Sequence, residues 1–231
     1  MSLVEHLAEL RRRLIISVVA LALGGLVAFL LYERILDFLI SPYEKVTGKT
    51  RLVITDPLEG FATRLKISAY GGFFLASPVV LWQLWRFITP GLHKNEKRYA
   101  VPFILASIVL FLCGVGVAFL TFEPALRFLI GVGGNDLETF FTPSKYLSLI
   151  TLMIVAFGIA FEFPILLVFL QLAGVVPSQR LRRWRRPAIV IIVAVAAVIT
   201  PSGDPYSLFA MAGPMYLFYE GAILVGRLLK R

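Results

Sequence analysis

The sequence predicts an all-α polytopic membrane protein with six transmembrane helices, and three observations carry that reading. Of its 231 residues, 58% are hydrophobic and only 16% are charged, with a mean hydropathy of +0.84, a composition suited to lipid. The apolar residues gather into six runs, at 14–32, 61–85, 99–122, 147–172, 187–200 and 207–226. About 20 apolar residues are needed to cross a ~30 Å hydrocarbon core as a helix. The runs are continuous, whereas a membrane β-barrel needs short segments of alternating polarity. Backbone groups in lipid must pair within their own segment, so each run is expected to be helical.

Before the first run stands 2-SLVEHLAELRRRL-14. Ser2 and Glu5 have the spacing of a capping box, which starts a helix. Leu3, Leu7, Leu10 and Leu14 then share one face, with Glu5, Glu9 and Arg12 opposite. The carboxylates are expected to face water beside the membrane. The run that follows is not a removable signal peptide: no small-residue cleavage site follows it, and five more runs come after it.

Next comes 35-ILDFLISPYEKV-46, an amphipathic piece expected at the membrane surface, with Pro42 and Pro57 punctuating the loop. Arg64 and Lys66 sit near the start of the second run, where long basic side chains can snorkel outward.

The fourth run contains 156-AFGIAFEFPILLVF-169. At ~1.5 Å rise per residue, Glu162 falls close to the bilayer centre. Ionised and unpaired there it would cost at least ~2.5 kcal/mol, so it should be protonated, paired or in a wet cavity. Pro164 cannot donate to the Ala160 carbonyl and its ring crowds that oxygen. A kinked fourth helix with a polar notch is the expectation.

The fifth run would be only about 21 Å long as a helix, and the sixth is short before it meets Glu220. Such short spans imply local bilayer thinning. Glu220 is expected to snorkel or to pair with Arg227. Asp204, in 200-TPSGDPYS-207, reads as turn chemistry.

Charge sets the orientation. Lys and Arg are concentrated before run 1 (Arg11, Arg12, Arg13), between runs 2 and 3, between runs 4 and 5 (Arg180 to Arg186) and after run 6. Fifteen lie on that side and six in the opposite loops, so both termini are expected in the cytoplasm. The net charge of +9 is thereby accounted for by topology and attraction to anionic lipid. No nucleic-acid partner is needed.

Enzyme chemistry finds no support. There is no HExxH helix, the only histidines are His6 and His93, and Cys113 is the sole cysteine, too little for a metal cluster. Gly131, Gly133 and Gly134 lack the preceding strand of a phosphate loop. No cofactor is implied. Three acids remain to be explained: Glu9, Glu96 in the loop 86-RFITPGLHKNEKR-98, and Glu162. A proton-coupled small-solute transporter would also use a midplane acid and broken helices, but it predicts a second deep charge or repeat symmetry.

Several blocks, in order along nearly the whole chain, carry a resemblance: 6-HLAELRRRL-14, 56-DPLEGF-61, 77-SPVVLWQLWRFITPGL-92, 94-KNEKR-98, 156-AFGIAFEFP-164, 200-TPSGDPYS-207 and 214-PMYLFYE-220. The chain resembles the TatC family, the six-span core of the twin-arginine protein translocase. The resemblance implies a receptor for twin-arginine signal peptides of folded proteins, exported across the cytoplasmic membrane by the proton-motive force. It assigns recognition of the arginine pair to Glu9 and Glu96, with Arg11, Phe87, Pro90 and Leu92 shaping that surface. Pro42 and Pro78 match structural prolines, Asp204 an outer-turn acid, and Glu162 the mid-membrane acid. The partners implied are TatA and TatB, with TatB at helices 5 and 6, other copies of the chain, and lipid. His93 and Asn95 depart from the family pattern, where Tyr and His are common, as does Leu208, where several members have Gln.

Overall fold

The computed structural model describes residues 3–88, 100–134 and 140–228. All regular structure among these residues is helical: α1 (Leu3–Leu30), α2 (Tyr32–Thr47), α3 (Glu59–Ile88), α4 (Ala100–Val132), α5 (Pro143–Ala160), α6 (Phe163–Leu172), α7 (Ser178–Arg183), α8 (Arg185–Ile199) and α9 (Pro205–Leu228). Five stretches are long and apolar enough to cross a membrane: α1, α3, α4, α5 with α6, and α9. The fifth predicted run forms α8, whose 15 residues span about 22 Å. The sixth predicted run, 207–226, forms α9, which continues past Glu220 to Leu228, 24 residues in all.

The chain divides into two compact units, with α2, α4 and α5 contributing residues to both. The first comprises residues 1–41, 49–108 and 141–147. Its axis is the antiparallel packing of α1 on α3, and glycines decide how closely these approach. A Cβ on Gly24 would lie 2.7 Å from the Gly72 carbonyl oxygen, and one on Gly72 would lie 2.5 Å from the Gly25 nitrogen. Only hydrogen fits there, so the backbones themselves touch, as small residues allow between membrane helices. Arg64 does not simply snorkel. Its guanidinium stacks over Phe29 at 4.5 Å and Tyr32 at 5.1 Å, while Lys66 donates to Ser144 Oγ at 2.7 Å.

Glu59 ties the segment before α3 to the start of α5. It accepts from the Thr55 N–H at 3.1 Å and the Ser144 N–H at 3.0 Å. Deeper along α3, Trp85 Nε1 donates to Ser107 Oγ at 2.8 Å. A buried indole N–H needs such an acceptor.

The second unit comprises 42–48, 109–140 and 148–231. Here α4 and α5 meet closely at Gly114, whose Cβ would lie 2.6 Å from the Phe157 carbonyl, and at Gly158, under the Phe111 ring. The predicted kink is a break between α5 and α6. Glu162 N bonds back to the Ile159 carbonyl at 3.0 Å, three residues away instead of four, which tightens the turn. Glu162 occupies the position before α6 without a side-chain capping bond, and Pro164 lies in the first turn, where a missing N–H costs nothing. At its far end α6 closes on Gly174, with φ of 72°. Val175 N reaches the Leu170 carbonyl at 3.0 Å and Gly174 N reaches that of Gln171 at 3.1 Å, the two bonds of a Schellman ending.

On α8 only Ala188, Ile192 and Ala196 are buried, one residue per turn. Val190, Val193 and Val198 are exposed, the last at 85%. A helix so apolar on its open faces suits hydrocarbon better than water.

Candidate functional site

Glu9 sits in the polar turns of α1 that precede the apolar run, and the antiparallel packing lays these turns beside the end of α3. The sequence predicted carboxylates facing water. For Glu9 the structure corrects this: its side chain and that of Arg13 are only 19% and 16% exposed, whereas Glu5 and Arg12 are exposed as expected and Leu7 is 63% exposed. The physical reason is that leucine needs no partner and can face lipid, whereas polar groups next to α3 find hydrogen bonds there. Arg13 Nε donates to Glu9 Oε1 at 3.1 Å, its Nη2 makes a second close contact to the same oxygen, and its Nη1 donates to Gln83 Oε1 at 3.2 Å. The bond from Arg13 holds the Glu9 carboxyl below the usual carboxylate range, against an opposing contribution from burial.

Glu9 Oε2 is buried and has no hydrogen-bond partner among the described residues. A cavity of about 450 Å³ is lined by Ala8, Glu9, Arg12, Arg13, Ile16, Gln83 and Arg86. Phe87 is close by but engages His6, the rings stacked at 4.5 Å. Arg11 is exposed and does not line the cavity. Glu96, Pro90 and Leu92 lie outside the described residues, as do His93 and Asn95.

In the second unit Glu162 is half-buried at the α5–α6 break, with Oε1 shut away from solvent, and Pro164 is buried. The neighbouring Phe161 packs edge-on against Phe218 of α9 at 5.2 Å.

Asp204 is a helix cap. Its Oδ1 accepts the Ser207 N–H at 2.8 Å, and Oδ2 takes the hydroxyls of Ser202 and Ser207. Glu220 does not pair with Arg227 as expected. Its partners are Arg185 Nη2 on α8 at 2.5 Å and the Tyr216 hydroxyl at 3.3 Å, because α8 brings an arginine nearer than two turns of α9 do.

Pro42 does not punctuate the loop but is buried within α2, and Pro78 lies within α3. In both cases the residue before the proline is serine. Ser41 Oγ donates to the Phe38 carbonyl at 2.9 Å and Ser77 Oγ to that of Phe74 at 2.7 Å. These are the carbonyls that Pro42 and Pro78 leave without an N–H.

Two polar residues were given no role by the sequence. Gln83 stood only within a matching block. Gln171, in the same apolar run as Glu162, is 1% exposed and donates to the Ala222 carbonyl on α9 at 2.9 Å. An amide inside an oily run was the available signal. Among the described residues no group of histidine, cysteine and carboxylate side chains could hold a metal ion.

With this geometry in place, comparison with known proteins becomes informative. The family model for the Sec-independent protein translocase protein (TatC) matches residues 5–214. The chain belongs to the TatC family. A relative from Aquifex aeolicus, named Sec-independent protein translocase protein TatC, is 41% identical across 100% of this chain and 97% of its own length. One of the same name from Frankia casuarinae is 42% identical over 98% of this chain but only 65% of its own length, so the chain spans just under two thirds of that relative. The crystal structure of the twin-arginine translocase receptor TatC superposes with a TM-score of 0.79 at 40% identity, covering 98% of this chain and all of that one. The family is one of multi-pass membrane proteins and translocase components, not of enzymes.

Proposed function

We propose that this chain is the receptor of a twin-arginine translocase. It recognises the arginine pair in signal peptides of folded precursors and, with TatA and TatB, mediates their proton-motive-force-driven export. In this reading it crosses the cytoplasmic membrane six times with both termini inside, α8 and α9 supply the surface for TatB, and further copies of the chain join the assembly.

The observation that carries the reading is the buried, unpartnered Oε2 of Glu9 beside a cavity at the α1–α3 end. A buried carboxylate oxygen is costly until it accepts a hydrogen bond, and guanidinium donors are the strongest match. The chain runs from α3 directly into the segment that carries Glu96, and two acids are what two arginines require.

Site-specific crosslinking of twin-arginine and twin-lysine peptides tests this. Wild type is expected to prefer twin-arginine, and Glu9→Ala and Glu96→Ala to lose most of that crosslinking. Equal crosslinking of both peptides to wild type and both variants would refute the assignment.

A further inference from the structure

The cavity beside Glu9 poses a charge problem. Among the described residues that line it, Arg12, Arg13 and Arg86 stand against a single acid, Glu9, so an arriving cation meets more repulsion than attraction from these side chains. The arrangement around Glu9 resolves this. Arg13 uses Nε and Nη2 on one carboxylate oxygen and Nη1 on Gln83, so its guanidinium is pinned from two helices. A carboxylate held this way cannot rotate without breaking contacts to Arg13, which leaves Oε2 as the remaining acceptor in a fixed place, already desolvated.

We propose that Arg13, anchored by Gln83, is a positioning residue that presents Glu9 Oε2 as a single buried acceptor and thereby makes the site select guanidinium over ammonium. The proposal rests on the assignment of Glu9 to signal-peptide recognition. Repulsion from the three arginines falls on lysine and arginine ligands alike. The cost of shedding water does not, because guanidinium is the more weakly hydrated of the two cations. Repulsion suppresses every cation that lacks this advantage, so specificity comes from a penalty as well as a contact. Fixing the acceptor in advance also removes an ordering cost on binding.

The experiment compares affinities of fluorescent twin-arginine and twin-lysine peptides for the full-length chain in nanodiscs. In Arg13→Lys the charge remains but the two-helix clamp is lost, and the ratio of twin-arginine to twin-lysine affinity is expected to fall about tenfold, the scale of one charge-assisted hydrogen bond. Gln83→Met keeps Arg13 and Glu9 and only unpins them, so a smaller fall in the same ratio is expected even if Arg13→Lys fails to fold. A wild-type ratio in Gln83→Met, or tighter twin-arginine binding in Arg13→Lys, overturns the proposal, the latter by making Arg13 a competitor. In either case, loss of binding in Glu9→Ala leaves the receptor assignment standing. Wild-type binding by Glu9→Ala would remove both.

Discussion

Asp204 shows how one side chain fixes the start of a helix. It precedes Pro205, the first residue of α9, and satisfies the N–H of Ser207 while holding two serine hydroxyls. Asp204→Ala is therefore expected to destabilise the protein by about 1–2 kcal/mol, and Asp204→Asn by much less, since asparagine caps nearly as well. Thermal unfolding in detergent reads both. Gly226 is a second constrained position, because a Cβ there would lie 1.7 Å from Gln171 Oε1 and the amide would have to move. Gly226→Ala should push the Gln171 amide off the Ala222 carbonyl and cost roughly 1–3 kcal/mol for a buried polar group displaced, visible in the same measurement. The two residues differ in how far the sequence revealed them. Asp204 acts on neighbours two and three residues away and was readable as turn chemistry. Gln171 bonds to a carbonyl 51 residues on, and Arg13 to an amide 70 residues on. No local pattern encodes such pairs.

At the scale of elements, the Ser-Pro pairs at 41–42 and 77–78 repair what proline removes, each hydroxyl taking the orphaned carbonyl one turn back. Ser77→Ala should cost about 1 kcal/mol, because the Phe74 carbonyl loses its donor at a buried site; an unchanged unfolding midpoint would show that the carbonyl needs no donor. Pro124 and Pro214 lie inside α4 and α9 after Glu123 and Gly213, so a hydroxyl is not required for a helix to continue. At Pro164 the preceding residue is Phe163, and the helix breaks. Apolar run length predicted where helices lie, and the Glu-Pro pairing predicted the break. The third apolar run ends at Phe122, whereas α4 extends to Val132, because run length does not register a helix that continues through Glu123 and Arg127. If Glu162 at the break docks a polar side chain of a partner helix, Glu162→Gln should retain more export than Glu162→Ala, since an amide still hydrogen-bonds. If Glu162→Gln abolishes export with all partner crosslinks intact, proton transfer is the better account.

For the whole molecule, the proposed orientation makes a direct prediction. In a Cys113→Ser background, Lys49→Cys should react with a membrane-impermeant thiol reagent added outside intact cells, and Gln179→Cys only in inverted vesicles; the reverse pattern would turn the topology over. The proposed orientation rests on the distribution of Lys and Arg alone, whereas the matching blocks made the family readable. Which face of α1 turns inward was not, because amphipathic spacing separates leucines from acids without saying whether the acids meet water or another helix. The contact at Gly24 and Gly72 also bears on how the protein is made. Synthesis delivers α1 first, and at ~5–20 residues per second Gly72 emerges roughly 2–10 s after Gly24. During that interval α1 has only lipid for company, and its glycine notch stands open. The arrival of α3 is thus the event that completes the Glu9 pocket, and a foreign helix with a small-residue stripe has those few seconds in which to take its place.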